Sequence, residues 1–351
     1  MAWAALALAG AVGCGGDNID RPATGADGGS SDAPLRVDAA PGADGGGTAD
    51  AAPSPDGPRD AGGPATDAGP TSGFVRIGYY PSWEAGEDAI QFQYLTHVNY
   101  AFLLPTPSGG LTGLDSTTQL DNLRALAHQH GVLVSISVGG WNDGDDSAFH
   151  TLAANATART AFIDNLATFV TTHDLDGVDI DWEYPDPGSS ANDYASLMTA
   201  LATRLHGMGK LLTAAVISEG STGEGVLDAV FDVVDLLNLM AYDGEPNSPY
   251  SLAVAALDYW LGRGLPPGKA VLGVPFYGRD PYTPYRDLVA QDPTAPQKDQ
   301  IGSIYYNGIP TIQAKTELAA TRGAAGMMAW ELSQDTTDAT SLLRAISEAS
   351  P

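Results

Sequence analysis

Cysteine is almost missing from this chain of 351 residues: Cys14 is the only one. An intrachain disulfide is therefore excluded. Basic residues are scarce as well. Lys and Arg number 16 against 43 Asp and Glu, a formal net charge of -27. Nucleic acid is a poor partner for such a surface, because phosphate binding needs a basic face. A neutral polymer fits better, and the acidity also suits an exported protein that must stay soluble. Beyond the N-terminus no apolar run is long enough to span a bilayer. No internal repeat is visible.

The N-terminal part has little that could build a core. From Asp17 to Gly73 the chain is almost all Gly, Ala, Pro, Asp, Ser and Thr. Such a segment cannot bury enough apolar surface to offset its ordering entropy. Residues 15–73 therefore read as a disordered linker and 74–351 as the folded part. Ahead of the linker, the apolar Met1–Val12 stretch runs into Ala11-Val12-Gly13-Cys14. Residues 1–14 resemble a bacterial signal peptide with its lipobox, the Cys14 thiol being the lipidation site. The first dozen residues lack Lys and Arg, although a signal peptide carries a positive start; an ordinary export signal is the alternative. The expectation is a bacterial protein that is secreted or held at the cell surface, touching a membrane only through that anchor. A monomer is expected.

The folded part alternates strand-like and helix-like segments, the pattern of a parallel α/β domain. Strands are predicted at Phe74–Tyr80, His97–Phe102, Val132–Val138, Gly177–Trp182, Leu212–Ile217, Leu236–Ala241, Ala270–Phe276 and Ala325–Trp330. Helical periodicity fits Thr117–His130, Thr157–His173, Ala191–Met208, Leu252–Gly264, Ile312–Arg322 and Ala339–Ser350. Eight such units in about 280 residues predict an α/β fold of the (β/α)8 TIM-barrel type. An open sheet would show a Gly-rich phosphate loop after its first strand, and Tyr79-Tyr80-Pro81-Ser82-Trp83 is unlike one. Catalytic groups of a barrel sit at the C-terminal strand ends, which is where Trp141, Glu183, Tyr242, Asp243, Tyr277 and Trp330 fall.

The run Asp176-Gly177-Val178-Asp179-Ile180-Asp181-Trp182-Glu183 is the most informative segment. It has the signature of a buried strand, yet carries four carboxylates. Side chains alternate along a strand, so Asp179, Asp181 and Glu183 share the lumen face. Desolvating three acids is costly, and packing alone would favour Val or Ile. The arrangement suits an acid whose pKa is tuned by its neighbours. Clustered carboxylates can also ligate Mg²⁺ or Ca²⁺; no His stands among them to suggest zinc. Asp176 has the wrong parity for the lumen and reads as a cap at the strand entrance. Trp182 has the opposite parity and should pack outward.

Asp176-x-x-Asp179-x-Asp181-x-Glu183 resembles the DxxDxDxE signature of glycoside hydrolase family 18, the chitinases and their relatives. Ser137-Val138-Gly139-Gly140-Trp141 is similar to that family's SxGG motif, and Met240-Ala241-Tyr242-Asp243 to its MxYD motif. Tyr277-Gly278-Arg279 and Gly326-Met327-Met328-Ala329-Trp330 resemble its seventh and eighth strand motifs. All stand in family order, and the resemblance covers essentially everything after Phe74. It implies Glu183 as general acid/base, Asp181 as the partner that raises Glu183 and stabilises developing charge, and Asp179 as a deeper support held by Tyr79 and Ser137. It implies Tyr242 on the substrate's acetamido oxygen. Gly140, Trp141, Met240, Asp243, Tyr277, Arg279 and Trp330 would line the substrate, Trp330 as a stacking floor. Core packing is the alternative for Met240. Arg279 would pair with an acid or meet sugar hydroxyls.

The resemblance further implies a retaining, substrate-assisted cleavage of β-1,4-linked N-acetylglucosamine polymers such as chitin, through an oxazolinium ion. No metal or other cofactor is implied. Only 45 residues separate Arg279 from Ala325, so the large insertion many chitinases carry there does not fit, and a shallower groove is expected. Three alternatives stay open. One is an endo-β-N-acetylglucosaminidase acting on N-glycans, another a non-catalytic chitin-binding lectin, the third a cell-wall glycosidase.

Overall fold

A computed structural model describes residues 73–351. The expected export signal, the expected lipidation site at Cys14 and the expected linker up to residue 72 lie outside the described residues. Eight strands follow the apolar, β-branched runs of the sequence. They are β1 (Val75–Pro81), β2 (His97–Pro105), β3 (Leu133–Gly139), β4 (Gly177–Asp181), β5 (Leu211–Ile217), β6 (Leu236–Met240), β7 (Ala270–Pro275) and β8 (Gly326–Trp330). Each pairs in parallel with the next, and β8 pairs back onto β1, Val75 facing Gly326. The sheet is thus a closed barrel.

Nine helices surround it among the described residues: α1 (Thr117–Gln129), α2 (Ser147–Ala154), α3 (Ala156–Thr172), α4 (Ser189–His206), α5 (Ala229–Val233), α6 (Tyr250–Gly262), α7 (Tyr285–Gln291), α8 (Ile309–Thr321) and α9 (Leu342–Ala349). Periodicity locates the longer ones to within a few residues. It misses α2, α5 and α7, which have 8, 5 and 7 residues and are too short to show a 3.6-residue repeat. Helix starts are chemically marked. Ser116, Asn155 and Ser341 each accept a hydrogen bond from a backbone N–H of the first turn, satisfying donors a helix cannot pair internally.

Strand alternation divides the core in two. Val178, Ile180 and Trp182 join the large apolar layer between strands and helices, while Tyr79, Met240 and Met328 belong to the barrel interior. Trp182 packs against Phe149 and Tyr194 and donates through Nε1 to Asp146 at 2.9 Å. At the foot of β4, Asp176 accepts from the Val134 N–H at 2.8 Å and contacts His128 Nε2 at 2.7 Å. Asp235 repeats the arrangement ahead of β6, with the Leu212 N–H and His206. These carboxylates tie strand starts and stand away from the chemistry. Between β7 and β8 lie two short antiparallel ladders (Tyr277–Gly278 with Thr283–Pro284, and Gln300–Ile301 with Ile304–Tyr305), one 3-10 turn (Ala295–Gln297), α7 and α8. Among the described residues no helix is long and apolar enough to cross a membrane.

Candidate active site

Parallel register builds the deep part of the site. On β4, Asp179 lies beside Ser137 of β3 and Thr213 of β5. Its Oδ2 accepts from the Tyr79 hydroxyl at 2.7 Å and from Ser137 Oγ at 2.8 Å. Its Oδ1 accepts from Thr213 Oγ1 at 2.6 Å and Asn238 Nδ2 at 3.2 Å. Burial raises the Asp179 carboxyl, and these four donors pull it back down. Both oxygens are thereby committed to neutral donors, which argues against the cation-binding reading of this cluster.

One pleat toward the mouth, Asp181 is 4 % exposed. Its carbonyl receives the Gly140 N–H at 2.8 Å. Gly139 adopts φ 115°, and a Cβ there would lie 2.1 Å from that same carbonyl, so only glycine fits. The side chain is different: Asp181 Oδ1 is buried without a protein partner. Burial pushes this carboxyl well above the ordinary carboxylate range, and the charges of Glu183 and Asp179 push it further.

Glu183 follows at the rim. Burial raises it to about 7; the Tyr184 hydroxyl pulls the other way, and the Asp243 charge adds to the rise. The family resemblance implies Asp181 as the cause. The charge of Glu183 raises Asp181, and because the interaction is mutual Asp181 acts on Glu183 in turn. Three peptide bonds at the rim are cis: Ala101–Phe102, Glu183–Tyr184 and Trp330–Glu331.

Tyr242 leads out of β6 into the mouth. Burial and the charges of Asp181 and Glu183 raise its phenol well above the ordinary value, so it remains a neutral O–H donor. Asp243 beside it accepts from the Tyr277 hydroxyl at 2.6 Å and pairs with Arg279 at 2.7 Å. Arg279 therefore meets an acid. Tyr277 is 3 % exposed, with its hydroxyl committed to Asp243; it stands one layer behind the substrate-lining surface expected of it.

Trp330, at the end of β8, is half-buried and stacks on Phe102 at 5.5 Å and 20°, with the Tyr79 ring edge-on at 5.6 Å. Gly140 makes room for this: its φ is 79° and a Cβ would lie 2.6 Å from the Phe102 ring. The missing Cβ lets the Phe102 ring sit against the backbone here. Met240 is 9 % exposed and packs inside the barrel. Trp141 is 61 % exposed, out on the rim. The motifs do not point to Thr213, Asn238, Phe102 or Asn247. The first two carry a signal, as lone polar residues with lumen parity in the apolar runs Leu211–Ile217 and Leu236–Met240. Phe102 and Asn247 carry none.

Known proteins share this arrangement of strands and motifs. The family model "Glycosyl hydrolases family 18" matches residues 75–335. A "chitinase-like effector" of Moniliophthora perniciosa is 32 % identical over 247 residues, 59 % of this chain and 56 % of that protein. "Probable chitinase 2" of Drosophila melanogaster is 31 % identical over 221 residues, 52 % of this chain and 44 % of the relative. The chain spans about half the length of these curated relatives. Among solved structures, the chitinase ChiB of Flavobacterium johnsoniae superposes with a TM-score of 0.71 at 30 % identity, covering 79 % of this chain and 94 % of that one.

Proposed function

Because the chain belongs to glycosyl hydrolase family 18, we propose that it hydrolyses β-1,4-linked N-acetylglucosamine polymers, with the sugar's own acetamido group as nucleophile. The observation that carries this reading is the state of the carboxylates. A retaining glycosidase ordinarily attacks with a second, ionised carboxylate. None here is free to do so. Asp181 is buried one pleat below the rim, Asp179 is saturated by four donors, and Asp243 is paired with Arg279. The nucleophile must come with the substrate, and a 2-acetamido oxygen lies within reach of the anomeric carbon.

Glu183 gives its proton to the glycosidic oxygen as the C1–O bond breaks, and the acetamido carbonyl oxygen closes on C1. With the proton of the pair on Glu183, Asp181 is the ionised partner: its Oδ1, lacking any protein partner, accepts from the acetamido N–H and disperses the positive charge of the oxazolinium. Tyr242 donates to the acetamido oxygen and aligns it. The ionised Glu183 then takes a proton from water, which attacks C1 and restores the amide. Trp330 stacks on the apolar sugar face. A lectin would have no use for an acid tuned to about 7.

Steady-state hydrolysis of (GlcNAc)4 to (GlcNAc)6, beside a high-mannose glycopeptide, tests the substrate class. Turnover of the oligomers alone is expected; cleavage of the glycopeptide alone would replace this reading with an endo-β-N-acetylglucosaminidase. The pH profile has a definite sign. Glu183 must enter protonated, so kcat/KM should hold below about 7 and fall as pH rises through it. A profile still rising at pH 9 would contradict the assignment of the acid.

A further inference from the structure

Lys315 on α8 is completely buried, 0 % exposed, and the chemistry above makes no use of it. Its ammonium donates to the Ser248 carbonyl at 2.6 Å, to Ser248 Oγ at 2.8 Å and to Asn307 Oδ1 at 2.7 Å. None of these acceptors is charged. Burial lowers the amine to about 7, and Asp299 is the charged group acting against that; its carboxylate is engaged by the Gly308 N–H and Thr311 Oγ1. An ammonium has three donors for three acceptors. A neutral amine would leave one acceptor unserved, since the Ser248 hydroxyl proton already goes to the Ala241 carbonyl at 2.6 Å.

The knot closes on the segment that carries Tyr242. Ser248 grips Ala241 on one side. Asn247 accepts from the Asp243 N–H at 3.1 Å on the other, and donates to the Tyr277 carbonyl at 3.1 Å. Asn307 adds a second donor to the Ser248 carbonyl at 2.9 Å. Asp243 and Ser248 both hold left-handed backbone, φ 63° and 51°, which non-glycine residues keep only when the surroundings impose it. Lys315 and its partners are those surroundings.

We propose that Lys315 is a positioning residue for the reaction: by fastening Ser248, next in the chain to Asn247, it fixes Tyr242 and Asp243, and so aims the donor that aligns the acetamido group. The kinetic part of this proposal rests on the function proposed above; the structural part does not. The test compares the full-length wild type with Lys315→Met and the milder Ser248→Ala, on (GlcNAc)4 and by hydrogen exchange of peptides covering Ala241–Ser248 and, as a control, α1. In folded Lys315→Met, kcat should drop about 10- to 100-fold, the range for displaced catalytic groups, with KM within about threefold. Amide exchange across Ala241–Ser248 should quicken at least tenfold, α1 staying unchanged. Ser248→Ala, which leaves the ammonium two acceptors, should show the same pattern at smaller size. Wild-type kcat per folded molecule in either variant, with only a lower Tm, would reduce Lys315 to core stabilisation and overturn the proposal, as would unaltered exchange. A wild type inert on (GlcNAc)4 but with the exchange change intact would sink the substrate assignment and leave the positioning role standing.

Discussion

Glu183→Gln is expected to abolish turnover of chitin oligomers, with kcat falling by at least about 10³-fold, while the barrel and oligosaccharide affinity persist. General acid catalysis supplies about 10² to 10⁴ in rate. The loss should sit near the upper end, because a glutamine amide cannot protonate the departing oxygen. Stability should not suffer. The wild-type carboxyl is already inclined to be neutral, raised to about 7 by burial, and the amide is a neutral group of the same shape. Thermal melting and isothermal titration with (GlcNAc)4 would separate a catalytic loss from a folding loss. Retained kcat in the Gln variant would remove Glu183 from the mechanism.

Asp181→Asn is expected to cost about 10²-fold in kcat, the scale on which removing one preorganised transition-state contact is felt. In the free protein Asp181 Oδ1 is buried and without a protein partner, and burial with the neighbouring acids disfavours its ionised form. Both features are liabilities in a resting protein. They make sense if the side chain is reserved for an N–H that arrives with substrate and for positive charge that develops later. Asparagine keeps the shape but cannot carry negative charge, so binding should survive while kcat falls. Equal losses in kcat and in oligosaccharide affinity would instead point to a ground-state contact.

Much of this is legible in the chain because barrel chemistry is periodic. The two-residue alternation of Asp179, Asp181 and Glu183 puts three acids on one face, and the structure places Asp179 and Asp181 on the lumen side of β4, with Glu183 at its mouth. The deep support is legible only in part. Tyr79 and Ser137 are expected around Asp179, whereas Thr213 and Asn238, which complete its shell, come from strands 34 and 59 residues away. Their inward parity is the one flag they carry. Phe102 and Gly140 are a different case. Gly140 reads as backbone freedom, but its need is a missing Cβ beneath the ring that backs Trp330. No local pattern encodes a contact between the ends of different strands. The same holds for Lys315 and Ser248, 67 residues apart and in bonding contact.

The stereochemistry of the first product reports most directly on whether the substrate's amide takes part. Proton NMR of (GlcNAc)4 or (GlcNAc)6 mixed with enzyme, read before mutarotation, should show the new reducing end as the β-anomer. Retention follows from two successive displacements at C1, first by the acetamido oxygen and then by water. Early accumulation of the α-anomer would mean a single direct attack by water, and would contradict the joint action of Asp181, Tyr242 and the acetamido group.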